Sequence, residues 1–127
     1  MLILAAGSAY SQNPLAGNPE AIEAGRGIFR IYCTPCHGIR GGGGRGPDLT
    51  RGTFSVGDKD ADIFRAIYDG VSGTEMQSYS LVFGDEGVWR LVAYIRSIGR
   101  AETAASKGNS RAGEQLFWGA CPALSQN

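Results

Sequence analysis

Cys33-Thr34-Pro35-Cys36-His37 is the stretch on which the reading of this chain turns. It places two thiols and the only histidine of the sequence within little more than one helical turn. The residues leading into it are helical in pattern. Asn18-Pro19 offers an N-cap followed by proline at the first helical position. From there a helix runs to about Tyr32, with Ile22, Ile28, Phe29 and Tyr32 as its bulky apolar positions. After the cysteines, residues 38–57 form a glycine-rich loop. A second helix covers roughly Asp58 to Asp69, with Ile63, Phe64, Ile67 and Tyr68 inward and Gly70 as its stop. A third carries Val88, Leu91, Val92, Ile95 and Ile98 at the i, i+3, i+4, i+7 spacing of a helix face. Asp85 and Glu86 stand at its positive end, Arg96 and Arg100 near its negative end. No stretch reads as a strand, so the fold class is all-α.

The 127 residues give room for one domain. Twelve Lys and Arg balance twelve Asp and Glu, which argues against the basic stripe of a nucleic-acid binder. Charged residues at 19% and hydrophobic ones at 43% exclude both a solvated disordered tail and a membrane bundle. Glycine, at 20 residues, is about twice its usual share and has no three-residue period. Residues 1–12 read as the back end of a secretory signal that lacks its basic start. Residues 13–20 read as a linker, 21–100 as the domain, and 101–127 as a linker followed by a further helix-like segment. No stretch reaches the roughly 20 apolar residues that span a bilayer. Three short helices and a long loop bury little surface by themselves. The chain is therefore expected to fold around a large apolar cofactor.

Cys-x-x-Cys-His is the attachment signature of c-type haem. The two cysteines form thioethers to one macrocycle, and the adjacent histidine lies under the iron as proximal ligand. That makes Cys33, Cys36 and His37 the candidate attachment and ligand residues. A thioredoxin-like dithiol would need a βαβ setting, and a structural zinc site four ligands; the sequence offers neither readily, Cys121 being remote. With no second histidine, the opposite face of the iron falls to a soft donor. Met1 lies in the signal-like segment, which leaves Met76, in a glycine-started polar loop. The competing readings are a core-filling methionine and an open or water-bound sixth position. Gly41 to Gly46 satisfies G-x-G-x-x-G, but lacks the preceding strand and following helix that give the dinucleotide fingerprint its mechanism. Arg45 and Arg51 of the same loop suit haem propionates, or stand as solvated surface residues.

These stretches together resemble a bacterial class I cytochrome c domain. They are Gly25-x-x-x-Phe29-x-x-x-Cys33-x-x-Cys36-His37-Gly38, Gly46-Pro47-Asp48-Leu49, Gly73-Thr74-Glu75-Met76, and Leu91-Val92-Ala93-Tyr94-Ile95-Arg96, in the family's order. The resemblance implies a small fold of three main helices and long loops wrapped around one covalently bound haem c per chain. It implies that the first and last helices cross at Gly25 with Phe29 and Tyr94 packed nearby. It also implies that the Pro47 carbonyl accepts the Nδ1–H of His37, which adds Pro47 and Leu49 to the cofactor-binding set. The sequence departs from the pattern beside Met76, where the family often has proline and this chain has Glu75 and Gln77. The expected function is that of a periplasmic one-electron carrier with His37/Met76 ligation, not an enzyme, meeting redox partner proteins transiently near Cys33, Thr34 and Pro35. Two alternatives remain open: an electron-relay domain of a larger dehydrogenase or oxidase complex, and a haem ligand-binding or peroxidase-like protein if Met76 is not a ligand.

Gly25, Phe29 and Cys33 recur as Gly113, Phe117 and Cys121, each displaced by 88 positions. Leu124 and Ser125 stand where the second cysteine and the histidine would recur. This reads as the incomplete opening helix of a second cytochrome domain, hence of a longer multi-haem or fused protein. The plainer reading is a docking helix ending in a free thiol.

Overall fold

In the computed structural model four helices follow one another, and there is no strand among the described residues. Those residues are 12–107, with side chains described through residue 99. Most of the signal-like segment and the repeat at Gly113, Phe117 and Cys121 lie outside them. α1 spans Pro19–Tyr32, α2 Thr34–His37, α3 Asp60–Tyr68 and α4 Ser80–Lys107.

Local chemistry accounts for each boundary. The Asn18 side chain accepts the backbone N–H groups of Glu20 and Ala21 at 2.9 and 3.1 Å, and Pro19 opens α1 where no N–H is needed. α3 begins two residues later than its charge pattern suggests, because the Asp62 carboxylate folds back to accept the Lys59 N–H at 3.1 Å. It stops at Gly70, whose φ of 76° a side chain would resist. α4 differs most from the sequence reading, which starts it at Asp85. A helical turn, Ser80–Phe83, precedes a break at Gly84 with φ 63° and ψ −174°. That turn is held by aromatic contacts: Tyr79 stacks on Phe83 at 5.1 Å, and Tyr32 meets Phe83 edge-on at 4.9 Å. At its far end α4 runs on to Lys107 through the helix-favouring Ala-Glu-Thr-Ala-Ala-Ser-Lys, so Arg96 and Arg100 lie inside it.

The core sits where α1 and α3 both pack on α4. Phe29, Val88, Leu91 and Val92 are almost wholly buried, each contributing about 1.5–3 kcal/mol of apolar burial. Ile63, Phe64 and Ile67 of α3 join them, Phe64 lying 4.2 Å from the Trp89 ring. Ile22, Ile28 and Tyr68 are only half-buried, and Tyr32 is exposed. α1 crosses α4 at Gly25, where an added Cβ would run into the Arg90 carbonyl and reach Tyr94 Cβ at 3.0 Å. Phe29 and Tyr94 pack beside the crossing with ring centroids 5.1 Å apart. Within residues 13–18, Asn13 and Leu15 pack on the domain while the other four are exposed. Buried Asn13 donates its side-chain amide to the Trp89 carbonyl at 2.9 Å, and its backbone N–H to Asp60 at 3.1 Å. Asp60 in turn accepts from Arg96 at 2.7 Å, and Arg96 also donates to the Asp58 carbonyl.

Two glycines on one helix test the crossing against intrinsic propensity. Gly25→Ala should cost about 2 kcal/mol or more despite removing a mid-helix glycine. Gly27→Ala, whose Cβ would meet nothing within 4 Å, should gain about 0.5–1 kcal/mol. Guanidinium unfolding of the two variants reads this difference; shifts of the same sign would contradict a tight crossing.

Candidate functional site

α1 delivers Cys33 as its C-cap, with the Cys33 N–H donating to the Phe29 carbonyl at 2.9 Å. The chain then makes the single turn of α2, tied by His37 N–H to Cys33 carbonyl at 2.9 Å and by the Thr34 hydroxyl to the Arg30 carbonyl at 2.8 Å. Cys33 and Cys36 are half-buried free thiols at the two ends of this segment. Burial, and after it the neighbouring Cys36, pushes the Cys33 thiol up to about 11.

Gly38, at φ 82°, reverses the chain, and the loop beyond it is knitted to the underside of α2. Gly43 N–H donates to the His37 carbonyl at 2.8 Å, Gly46 N–H to the Cys36 carbonyl at 2.7 Å, and Leu49 N–H to the Gly41 carbonyl at 2.7 Å. No strand precedes Gly41 and Pro47 follows Gly46, so the glycine run serves this knitting and not a nucleotide. His37 Nδ1 lies 2.9 Å from the Pro47 carbonyl oxygen. A carbonyl can only accept, so Nδ1 carries a proton, and in the neutral imidazole Nε2 is the nitrogen with the free lone pair. Gly46 makes room for the ring: a Cβ there would fall 2.8 Å from His37 Cε1 and 2.9 Å from Nδ1. Leu49 is half-buried against the core.

Met76 sits in a separate loop, pinned to the end of α3. Val71 N–H donates to the Met76 carbonyl at 3.0 Å, and Met76 N–H donates to the Thr74 hydroxyl at 3.2 Å. The Ser78 hydroxyl donates to the Tyr68 carbonyl at 2.6 Å, and Tyr79 N–H to the Ile67 carbonyl at 3.0 Å. Hydrogen bonds thus shape the loop that lacks the family's proline. Met76 itself is half-buried and packs against the core. Arg45 reaches across from the His37-side loop to Glu75, 2.8 Å away, while Arg51 takes Asp48 at 3.3 Å. Asp48 is held below the usual carboxylate range first by its hydrogen bonds from Thr50 and then by Arg51. Sequence reasoning did not single out Gly46, Thr74 or Ser78. Gly46 and Thr74 lay within quoted motifs, but only their spatial neighbours give them a role.

Among the described residues no three His, Cys, Asp or Glu side chains are placed to hold a bare metal ion. Those residues offer two thiols, one imidazole and one thioether, donors of the kinds taken by an iron that arrives with its own macrocycle. A family profile described as "Cytochrome C oxidase, cbb3-type, subunit III" matches residues 20–95. The chain belongs to the cytochrome c family. As such it binds haem c covalently, with its iron, and transfers electrons through it. Cytochrome c55X of Paracoccus denitrificans is 32% identical over 90 residues, covering 70% of this chain and 84% of that protein. The cbb3-type cytochrome c oxidase subunit FixP of Sinorhizobium medicae is 29% identical over 104 residues, covering 72% of this chain. The chain spans only 36% of the length of that subunit. The crystal structure of cytochrome cL from Methylophaga aminisulfidivorans superposes with a TM-score of 0.61 at 27% identity, over 68% of this chain and 58% of that one. No helix among the described residues is long and apolar enough to cross a membrane.

The raised Cys33 thiol has a consequence for this cytochrome before haem attachment. A thiol raised to about 11 stays protonated, hence a poor nucleophile, across the neutral range. Alkylation of Cys33 by iodoacetamide, followed by peptide mapping of the haem-free chain under conditions where circular dichroism shows it helical, should accelerate about tenfold per pH unit from pH ~8 to ~10. A rate already level by pH ~9 would show that Cys33 is not buried as described.

Proposed function

We propose that this cytochrome is a one-electron carrier whose haem is attached through Cys33 and Cys36 and whose iron is held between His37 and Met76. The observation that carries the reading is the 2.9 Å contact from His37 Nδ1 to the Pro47 carbonyl, which fixes the tautomer and directs Nε2 outward as a ligand. When bound, haem c supplies the one-electron ferric/ferrous couple.

The chain's own residues supply the rest. Pro47 orients the imidazole and raises its basicity, while Gly46 leaves space for the ring. Val71 and Thr74 close the Met76 loop on itself, and Ser78 and Tyr79 tie it to α3, so a thioether is positioned without proline. With His37 and Met76 both holding the iron, no coordination position would be left for substrate, and the domain would act as a carrier. A thioether ligand beside an apolar core favours a higher reduction potential than a second imidazole. Redox partners meet the domain transiently at the surface around Cys33, Thr34 and Pro35, of which Pro35 is exposed. We place this exchange in the periplasm. The likeness to oxidase subunits much longer than this chain favours a second reading at the level of the whole protein, an electron-relay domain within an oxidase complex.

Axial substitution tests the ligand pair. Met76→His should keep six-coordinate, low-spin iron and lower the potential, since imidazole replaces thioether. Met76→Ala should lose the weak long-wavelength thioether–iron band and bind carbon monoxide in the reduced state, which the wild type should not do readily. A potential unmoved in Met76→His, or immediate carbon monoxide binding by the wild type, would contradict Met76 ligation.

A further inference from the structure

Ten of the twelve cationic side chains are arginines, and most of those described hold a carboxylate. Arg26 pairs with Glu23, Arg45 with Glu75, Arg51 with Asp48, Arg90 with Glu86 and Arg96 with Asp60. Arg30 and Arg40 have no carboxylate partner among the described residues. Both line the same cleft, of about 480 Å³, between the outward face of α1, the turn after His37 and the middle of α4. That volume falls within the range of small-molecule sites. None of Cys33, Cys36, His37, Pro47, Leu49 or Met76 lines it.

The lining has two characters. Arg26, Arg30 and Arg40 bring three guanidiniums; Glu23 pairs directly with Arg26 and attracts Arg30 from further off, so the cleft keeps a net positive charge. Ile39, Tyr94 and Ile98 form an apolar wall beside them. Burial pushes the Tyr94 phenol up while Arg26 and Arg30 pull it down and Glu23 adds slightly to the rise, so these are the charges that face its hydroxyl. Thr50 also lines the cleft, but its hydroxyl hydrogen is committed to Asp48 at 2.6 Å, which leaves the arginines and Tyr94 as donors. Two guanidiniums without a carboxylate partner, lining one cleft from separate elements, favour an anion there. A carboxylate can also accept from two guanidiniums, but its single charge leaves one of the two positive charges uncompensated. A phosphate monoester has three terminal oxygens and carries nearly two charges at neutral pH, so it can accept from both forks at once.

We propose that this cleft binds a small organic phosphate ester, with the phosphate between Arg30 and Arg40 and the organic portion against Ile39, Tyr94 and Ile98. The site stands independently of the axial-ligand reading.

Calorimetric titration of the haem-loaded protein with phenyl phosphate tests it. One saturable site is expected, with inorganic phosphate binding more weakly for want of an apolar body. Arg30→Gln and Arg40→Gln should each weaken binding about tenfold or more, with the absorption spectrum unchanged. Arg65→Gln, outside the cleft, should leave binding as it was. Absence of saturable binding, or binding that neither cleft variant weakens, would overturn the site. Benzoate binding as tightly as phenyl phosphate would overturn its assignment to phosphate. Tighter binding of a short polyglutamate peptide would reassign the cleft to an acidic protein partner.

Discussion

Backbone contact between Gly25 of α1 and the Arg90 carbonyl of α4 is the constraint on which the rest of the structure depends. It lets the two helices approach more closely than any side chain at that position would allow. Phe29 is then driven into full burial against Tyr94, one turn further along α1. Another turn on, the same helix ends at Cys33. The position of the first thiol is thus set by a helix crossing two turns away. α3 is fixed to α4 through Phe64 and Trp89, and Asn13 pins the N-terminal segment to the Trp89 carbonyl. α4 is the common wall for α1 and α3, and the loops that carry the site are tied to α2 and α3.

The two halves of the site are built by different means. The His37 half is backbone work: carbonyls of Cys36, His37 and Gly41 receive N–H groups from the glycine loop, and the Pro47 carbonyl receives the imidazole proton. Glycine is needed at Gly46 because the ring occupies the space a Cβ would take. The Met76 half uses hydroxyls as well: Thr74 braces the loop from within, while the Ser78 hydroxyl and the Tyr79 N–H tie it to α3. Arg45 and Glu75 join the halves by an exposed ion pair, an interaction worth at most about 1 kcal/mol. The rigidity of the Met76 loop therefore comes from its bonds to α3 and not from that bridge.

Much of this was legible in the sequence, and the reasons for the exceptions are physical. The helical face from Val88 to Ile98 and the apolar run from Ile63 to Ile67 declare their elements because burial imposes a period. Cys33, Cys36 and His37 declare a chemistry because few others use that spacing. The turn at Ser80–Phe83 was missed because its support is aromatic stacking between Tyr32, Tyr79 and Phe83, contacts with no local pattern. Asn13 looked like part of a linker because a buried amide bonded to a carbonyl 76 residues away leaves no trace in its neighbours. The partners of Arg45 and Arg51 were equally hidden, since the choice between a chain carboxylate and a cofactor carboxylate is made only in three dimensions.

The central claim is that one imidazole and one thioether hold the iron of this cytochrome, which makes it a carrier with no open coordination site. X-ray absorption at the iron edge of the oxidised, haem-loaded protein tests that most directly. Six-coordinate iron with a single sulfur neighbour and the remainder nitrogen is the result expected from His37 and Met76. A five-coordinate iron, or a six-coordinate one with only nitrogen and oxygen neighbours, would contradict it.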